Sequence, residues 1–135
     1  MGKQWKQCQT LGIPLICEMA RLNGNERYVL ARKSPKLYMK DVMSVEVRSI
    51  TTDHVQTLFL DGGDAEYLKG KRVVIVDDVI STGESLKALE ALVEKAGGNI
   101  VGRMAILAEG DATRRDDIIY LEKLPLFDNE GNPID

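Results

Sequence analysis

Thirteen consecutive residues, Val-Val-Ile-Val-Asp-Asp-Val-Ile-Ser-Thr-Gly-Glu-Ser from Val73 to Ser85, constrain this chain more than any other stretch. Val73 to Val76 are all β-branched and apolar, the pattern of a strand buried on both faces. Asp77 and Asp78 stand at the end of that apolar run, and small and hydroxyl residues follow through Ser85. The apolar spacing then becomes helical, at Leu86, Leu89, Leu92 and Val93, and stops at Gly97-Gly98. Strand, acidic pair, small-residue loop and helix in that order predict one unit of a parallel sheet. The loop then lies at the carboxyl end of its strand.

Such a loop has its own chemistry. Backbone N–H groups at a helix N-terminus converge and carry partial positive charge, which favours a phosphate. Gly83 lets backbone come close, while Ser81, Thr82 and Ser85 add hydroxyl donors. Two carboxylates would repel a phosphate, so Asp77 and Asp78 are expected to face the vicinal hydroxyls of a sugar or a hydrated cation. A plainer alternative is a strand–turn–helix whose helix is capped by Ser81 or Thr82.

The rest of the chain alternates in the same manner. Ile13 to Leu22 reads as a helix with Pro14 in its first turn and Asn23-Gly24 as its stop. Tyr28 to Ala31 reads as a short strand delivering Arg32 and Lys33 to its end. Ser44 to Leu60 reads as a hairpin turning at Thr52-Asp53-His54, Asp61-Gly62-Gly63-Asp64 as a turn, and Ile100 to Leu107 and Ile118 to Leu121 as two more strands. The expected fold class is α/β, a mainly parallel twisted sheet with helices on both faces plus a β-hairpin, in one domain over residues 1–135. Ligands of such sheets bind beyond the carboxyl ends of the strands, where Arg32-Lys33, the motif loop and Glu109-Gly110-Asp111 would meet.

Composition excludes several function classes. With 135 residues, 44% apolar, the chain suffices for one core. Its net charge of −3 argues against general nucleic-acid binding, and no apolar stretch is long enough to span a bilayer. Cys8 and Cys17 lack metal or disulfide-exchange spacing, which fits reduced thiols in a cytoplasmic protein, with Cys17 a core residue of the first helix.

Residues 73–85 match, position by position, the phosphoribosyl-pyrophosphate (PRPP) signature of the type I phosphoribosyltransferases. Gly12 to Leu15, Ala31 to Tyr38 and the hairpin Ser44 to Leu60 resemble the adenine and xanthine branch of that family. The resemblance implies transfer of the phosphoribosyl group from PRPP to a nucleobase of purine type, with release of pyrophosphate and Mg2+ as cofactor. It implies that Asp77 and Asp78 hold the ribose hydroxyls, and that Ile80, Ser81, Thr82, Gly83, Glu84 and Ser85 cradle the 5′-phosphate. Arg32, Lys33 and Lys36 are then candidates for the pyrophosphate, with Gly12 in the pyrophosphate loop; outside that context they read as a solvated basic run. Catalysis would rest on Asp77, Asp78 and Lys33, because the reaction passes through a cationic sugar and needs charge of both signs around it. Glu109, Gly110 and Asp111 are matched to the base-facing loop by position, although Asp111 also reads as a cap for the residues after it. The hairpin matches a mobile flap, or, on its own pattern, an edge hairpin guarded by charges. The tail from Leu124, with Phe127, is matched to part of a hood.

Two departures shape the expectation. Members of the branch carry roughly fifty residues ahead of the position of Gly12, so the resemblance implies that the first strand and part of the hood are missing here, and Met1 to Gln7 has no strand pattern. Gln9 and Leu11 stand where Glu and a basic residue are usual. Ser81 stands where hypoxanthine–guanine enzymes carry Asp, which argues against that branch. A homodimer is expected. The alternative reading is a PRPP- or nucleotide-binding regulator or inactive homologue that transfers nothing.

Overall fold

The computed structural model describes residues 6–9, 13–25, 27–48 and 55–134, the first of these stretches as backbone alone. Its elements are β1 (Lys6–Gln9), α1 (Ile13–Leu22), β2 (Val29–Leu30), β3 (Met43–Arg48), β4 (Val55–Leu60), α2 (Gly62–Leu68), β5 (Arg72–Ile80), α3 (Glu84–Lys95), β6 (Asn99–Glu109) and β7 (Ile119–Leu124). Five strands form one parallel sheet in the order β2-β1-β5-β6-β7, while β3 and β4 make a separate antiparallel hairpin.

That order places the site. The chain leaves β1 toward β2 in one direction and later leaves β5 toward β6 in the other. Right-handed crossovers running in opposite directions put their helices on opposite faces of a sheet. Burial agrees: Val73 and Ile75 share a core cluster with Leu68 of α2 and Leu86, Leu89, Leu92 and Val93 of α3. Val74 and Val76, which alternate to the other face, are buried outside that cluster, as are Ile16 and Ala20 of α1. The reversal falls between β1 and β5, and a crevice opens beyond the carboxyl ends of two strands that diverge in this way. Asp77, Asp78 and the loop after Ile80 lie on that edge.

Three expectations need correction. A first strand is present: Lys6–Gln9 pairs with Val73 to Ile75 on one side and with Val29 and Leu30 on the other. Its sequence, Lys-Gln-Cys-Gln, lacks the apolar run that marks a central parallel strand, so only the backbone pairing reveals it. Asp61-Gly62-Gly63-Asp64 is not a turn but the start of α2. Asp61 is its N-cap, and its carboxylate accepts the Gly63 N–H at 3.0 Å. The motif strand outlasts its apolar run, since β5 stays paired with β6 as far as Ile80 opposite Ala108. The carboxylates therefore sit within the last turns of the pleat, not in a loop.

The hairpin is built into the core. Leu58 and Leu60 are fully buried, and Met43, Val45 and Val47 pack on the same cluster. Arg32 and Phe59 exchange backbone hydrogen bonds of 2.9 and 2.7 Å, joining the hairpin to the end of β2. Lys95 Nζ donates to the Ser44 carbonyl at 2.7 Å, pinning the hairpin to the far end of α3. Closure of the described strands as a rigid flap would pull Leu58 and Leu60 out of the core, so they form a fixed wall. Thr52-Asp53-His54 lie outside the described residues.

Candidate active site

The two carboxylates are oriented by the backbone that follows them. Asp77 Oδ1 accepts the Asp78 N–H at 2.8 Å, and Asp78 Oδ1 accepts the Val79 N–H at 2.8 Å. Each group thus has one oxygen held and a second oxygen uncommitted by these bonds. Asp77 is only 4% exposed, the one charged residue in the core among the described residues, while Asp78 is half-buried. Burial, reinforced by a side-chain hydrogen bond with Asp78, pushes the Asp77 carboxyl up to about 7. The Lys33 ammonium lies close enough to oppose that rise.

The loop between β5 and α3 has the geometry of an anion cradle. Gly83 is the N-cap of α3 at φ 84°, a left-handed conformation that an L side chain resists. Gly83 itself supplies no side-chain cap, but Thr82 Oγ1 accepts the Glu84 N–H at 3.4 Å, so the plainer capped-turn alternative stands beside the anion cradle. Ser81 is committed elsewhere: its hydroxyl donates to Glu109 Oε1 at 2.9 Å. Ser85 differs, because its oxygen accepts from Gln56 Nε2 of β4 at 3.1 Å and its own O–H is not consumed by that bond.

Other expected residues are dispersed. The Arg32 guanidinium turns toward the Tyr38 ring, 6.0 Å from its centroid, in a cleft of about 130 Å³ shared with Tyr28, Asp61 and Asp64. Lys36 is exposed on the following loop. Asp111 does not cap the residues after it. They form a 3-10 turn, Gly110–Arg114, whose N-cap is Glu109, and Asp111 faces solvent 3.6 Å from Arg114. Glu109 and Gly110 do adjoin the motif loop through the Ser81 bond. Gly12 lies outside the described residues. Cys17 is half-buried rather than core, its place taken by Ile16 and Ala20, and it hydrogen-bonds Tyr28. The tail closes on itself, with Asp128 accepting from Glu130 and Asn132 at 2.9 Å each and Phe127 exposed.

Two groups at the loop have no counterpart in the sequence reading. Gln56 was one position in an alternating strand, and only the packing of β4 along α3 brings it to Ser85. Arg115 lies thirty-odd residues downstream with no motif around it. Asp117 grips it through two hydrogen bonds of 2.9 and 2.6 Å. Its Nη1 lies 3.1 Å from where a Cβ on Gly83 would stand, which sets a fixed positive charge against the cradle.

Comparison with known proteins agrees with this arrangement. Residues 10–135 match the family model described as phosphoribosyl transferase domain. The adenine phosphoribosyltransferase of Desulfosudis oleivorans is 42% identical over 64 residues, 47% of this chain and 37% of that protein. The hypoxanthine/guanine phosphoribosyltransferase of Methanococcus voltae is 34% identical over 103 residues, 76% of this chain and 51% of that protein. The crystal structure of adenine phosphoribosyltransferase from Thermoanaerobacter pseudethanolicus superimposes with a TM-score of 0.73 at 26% identity, over 90% of this chain and 72% of that one. The matched stretch spans about half or less of these curated relatives. With an acidic pair on a central parallel strand and this family match over nearly its whole length, the chain belongs to the phosphoribosyl transferase domain family.

Proposed function

We propose that the chain is a purine-type phosphoribosyltransferase, joining a free base to the ribose of PRPP and releasing pyrophosphate. The observation that supports this reading is the placement of Asp77 and Asp78 beside the N-terminus of α3, opened by Gly83 at φ 84°, where the sheet order reverses. A 5′-phosphate would sit on the N–H groups from Ile80 to Ser85, and the ribose hydroxyls would donate to the carboxylates of Asp77 and Asp78. Bond breaking at the sugar C1 builds positive charge on the ring and negative charge on the departing diphosphate. In this reading Asp77 and Asp78 serve the first charge, and the basic segment with Arg32, Lys33 and Lys36 serves the second. Mg2+ would arrive bound to the diphosphate, as part of the substrate, with the two carboxylates near it.

The relatives include both adenine and hypoxanthine/guanine transferases, so the base is proposed only as a purine. A homodimer belongs to the same reading, supported by an uncovered apolar strip on one sheet face: Ile106, Ile119 and Leu121 are 37%, 60% and 79% exposed. No helix among the described residues is long and apolar enough to cross a membrane, and Cys17 is a free thiol, in keeping with a reducing cytoplasm. The test is incubation with labelled PRPP, Mg2+ and each purine in turn. Nucleotide formation that is lost in Asp78→Asn supports transfer. PRPP binding without turnover would replace transfer by a regulatory role, and no PRPP binding would end both.

A further inference from the structure

The hairpin touches the motif loop at one side chain, and that contact has a direction. Gln56 Nε2 donates to Ser85 Oγ at 3.1 Å, while Gln56 Oε1 is buried with no hydrogen-bond partner among the described residues. A buried unpaired carbonyl oxygen is costly, of order 1–3 kcal/mol, so an apolar residue at this place would serve stability better than glutamine does. What glutamine supplies is one N–H aimed at a serine oxygen. A hydroxyl has one proton to donate and can accept at its lone pairs. Once Gln56 occupies the acceptor side, the Ser85 proton is left to point elsewhere. Ser85 is the second residue of α3, in the first turn, whose backbone N–H groups point toward the helix N-terminus.

We propose that Gln56 is a positioning residue: it holds Ser85 so that the serine O–H joins the backbone N–H groups in binding a phosphate monoester. This rests on reading the β5–α3 loop as a phosphate cradle and adds to it a residue from the hairpin. Because Gln56 belongs to β4, whose Leu58 and Leu60 are locked in the core, the serine is fixed by a rigid wall rather than by its own loop. The pre-set donor costs no reordering when the anion arrives.

The measurement is calorimetric titration of the full chain with ribose 5-phosphate. Gln56→Leu is expected to weaken binding about 5- to 10-fold, the size of one neutral hydrogen bond, without lowering the melting temperature. Ser85→Ala is expected to lose a similar factor, and the double variant no more than Ser85→Ala alone, which is the signature of two residues acting through one bond. Gln56→Glu should bind more weakly than Gln56→Leu, because its carboxylate takes the serine proton. Gln56→Met preserves side-chain length and replaces the leucine variant if that one does not fold. Unchanged affinity in Gln56→Leu or Gln56→Met, or an equal loss in the Ser85→Ala background, overturns the role of Gln56 while the cradle stands. A wild-type chain that fails to bind ribose 5-phosphate overturns the cradle reading, and this inference with it.

Discussion

Asp77 is where burial and charge compete most directly. Its carboxyl titrates near 7 in the folded chain, raised by burial and then by its bond to Asp78. The unfolded chain releases the same proton near the ordinary carboxylate value, about 4. Between those values the folded state binds a proton that the unfolded state does not, so this group's contribution to stability falls as pH rises from about 4 to about 7 and is level above. Depressed carboxyls such as Asp61 and Asp117 act in the opposite sense at lower pH. The Asp77 term is therefore read as wild type minus Asp77→Asn. In urea unfolding that difference is expected to move against wild type by roughly 2–4 kcal/mol between pH 4 and pH 8; a flat difference would show that Asp77 is ionised throughout. Gly83→Val belongs to the same scale. It forces a β-branched residue into φ 84° and sets its Cβ against Arg115. A loss of about 1–3 kcal/mol in stability is expected, together with loss of ribose 5-phosphate binding in calorimetry.

At the scale of elements, the hairpin carries more of the fold than its pattern announced. Alternation at Val45 and Val47 and at Val55, Thr57 and Phe59 made two strands legible. Pairing puts Val45 and Val47 on the face of Leu58 and Gln56, however, so the buried face of β4 is that of Leu58 and Leu60 instead. The same pattern is shared by a lid and by a structural hairpin, and only burial separates them. Leu58→Ala should cost about 2–5 kcal/mol in chemical denaturation, as for a fully buried leucine; a change under about 1 kcal/mol would mean that the hairpin is a lid after all. The opening of α2 was misread for a related reason. Asp-Gly-Gly-Asp is turn chemistry wherever the chain reverses, but an Asp whose carboxylate meets the N–H two residues on starts a helix.

Across the whole molecule, the sheet order leaves β7 as an edge and its apolar residues uncovered. Ile119 lies opposite Met104, and Leu121 falls two residues on along the same face. Leu121→Lys is expected to change the unfolding free energy by less than about 0.5 kcal/mol and, if copies of the chain associate through this strip, to shift sedimentation toward the monomer. Unaltered self-association would place the contact elsewhere. The sequence by itself determined the βα unit of residues 73–95, because a doubly buried strand, an acidic pair and a helix-opening glycine are each local in their cause. It singled out Asp77, Asp78 and the loop after them as one group for the same reason. Their surroundings came only from tertiary structure: that Lys6–Gln9 is a central strand, that Arg32 turns toward Tyr38, that Ser81 is spent on Glu109, and that Gln56 and Arg115 reach the loop. Each of these depends on strands and side chains far apart in the chain meeting at the sheet's edge, and no local pattern encodes such a meeting.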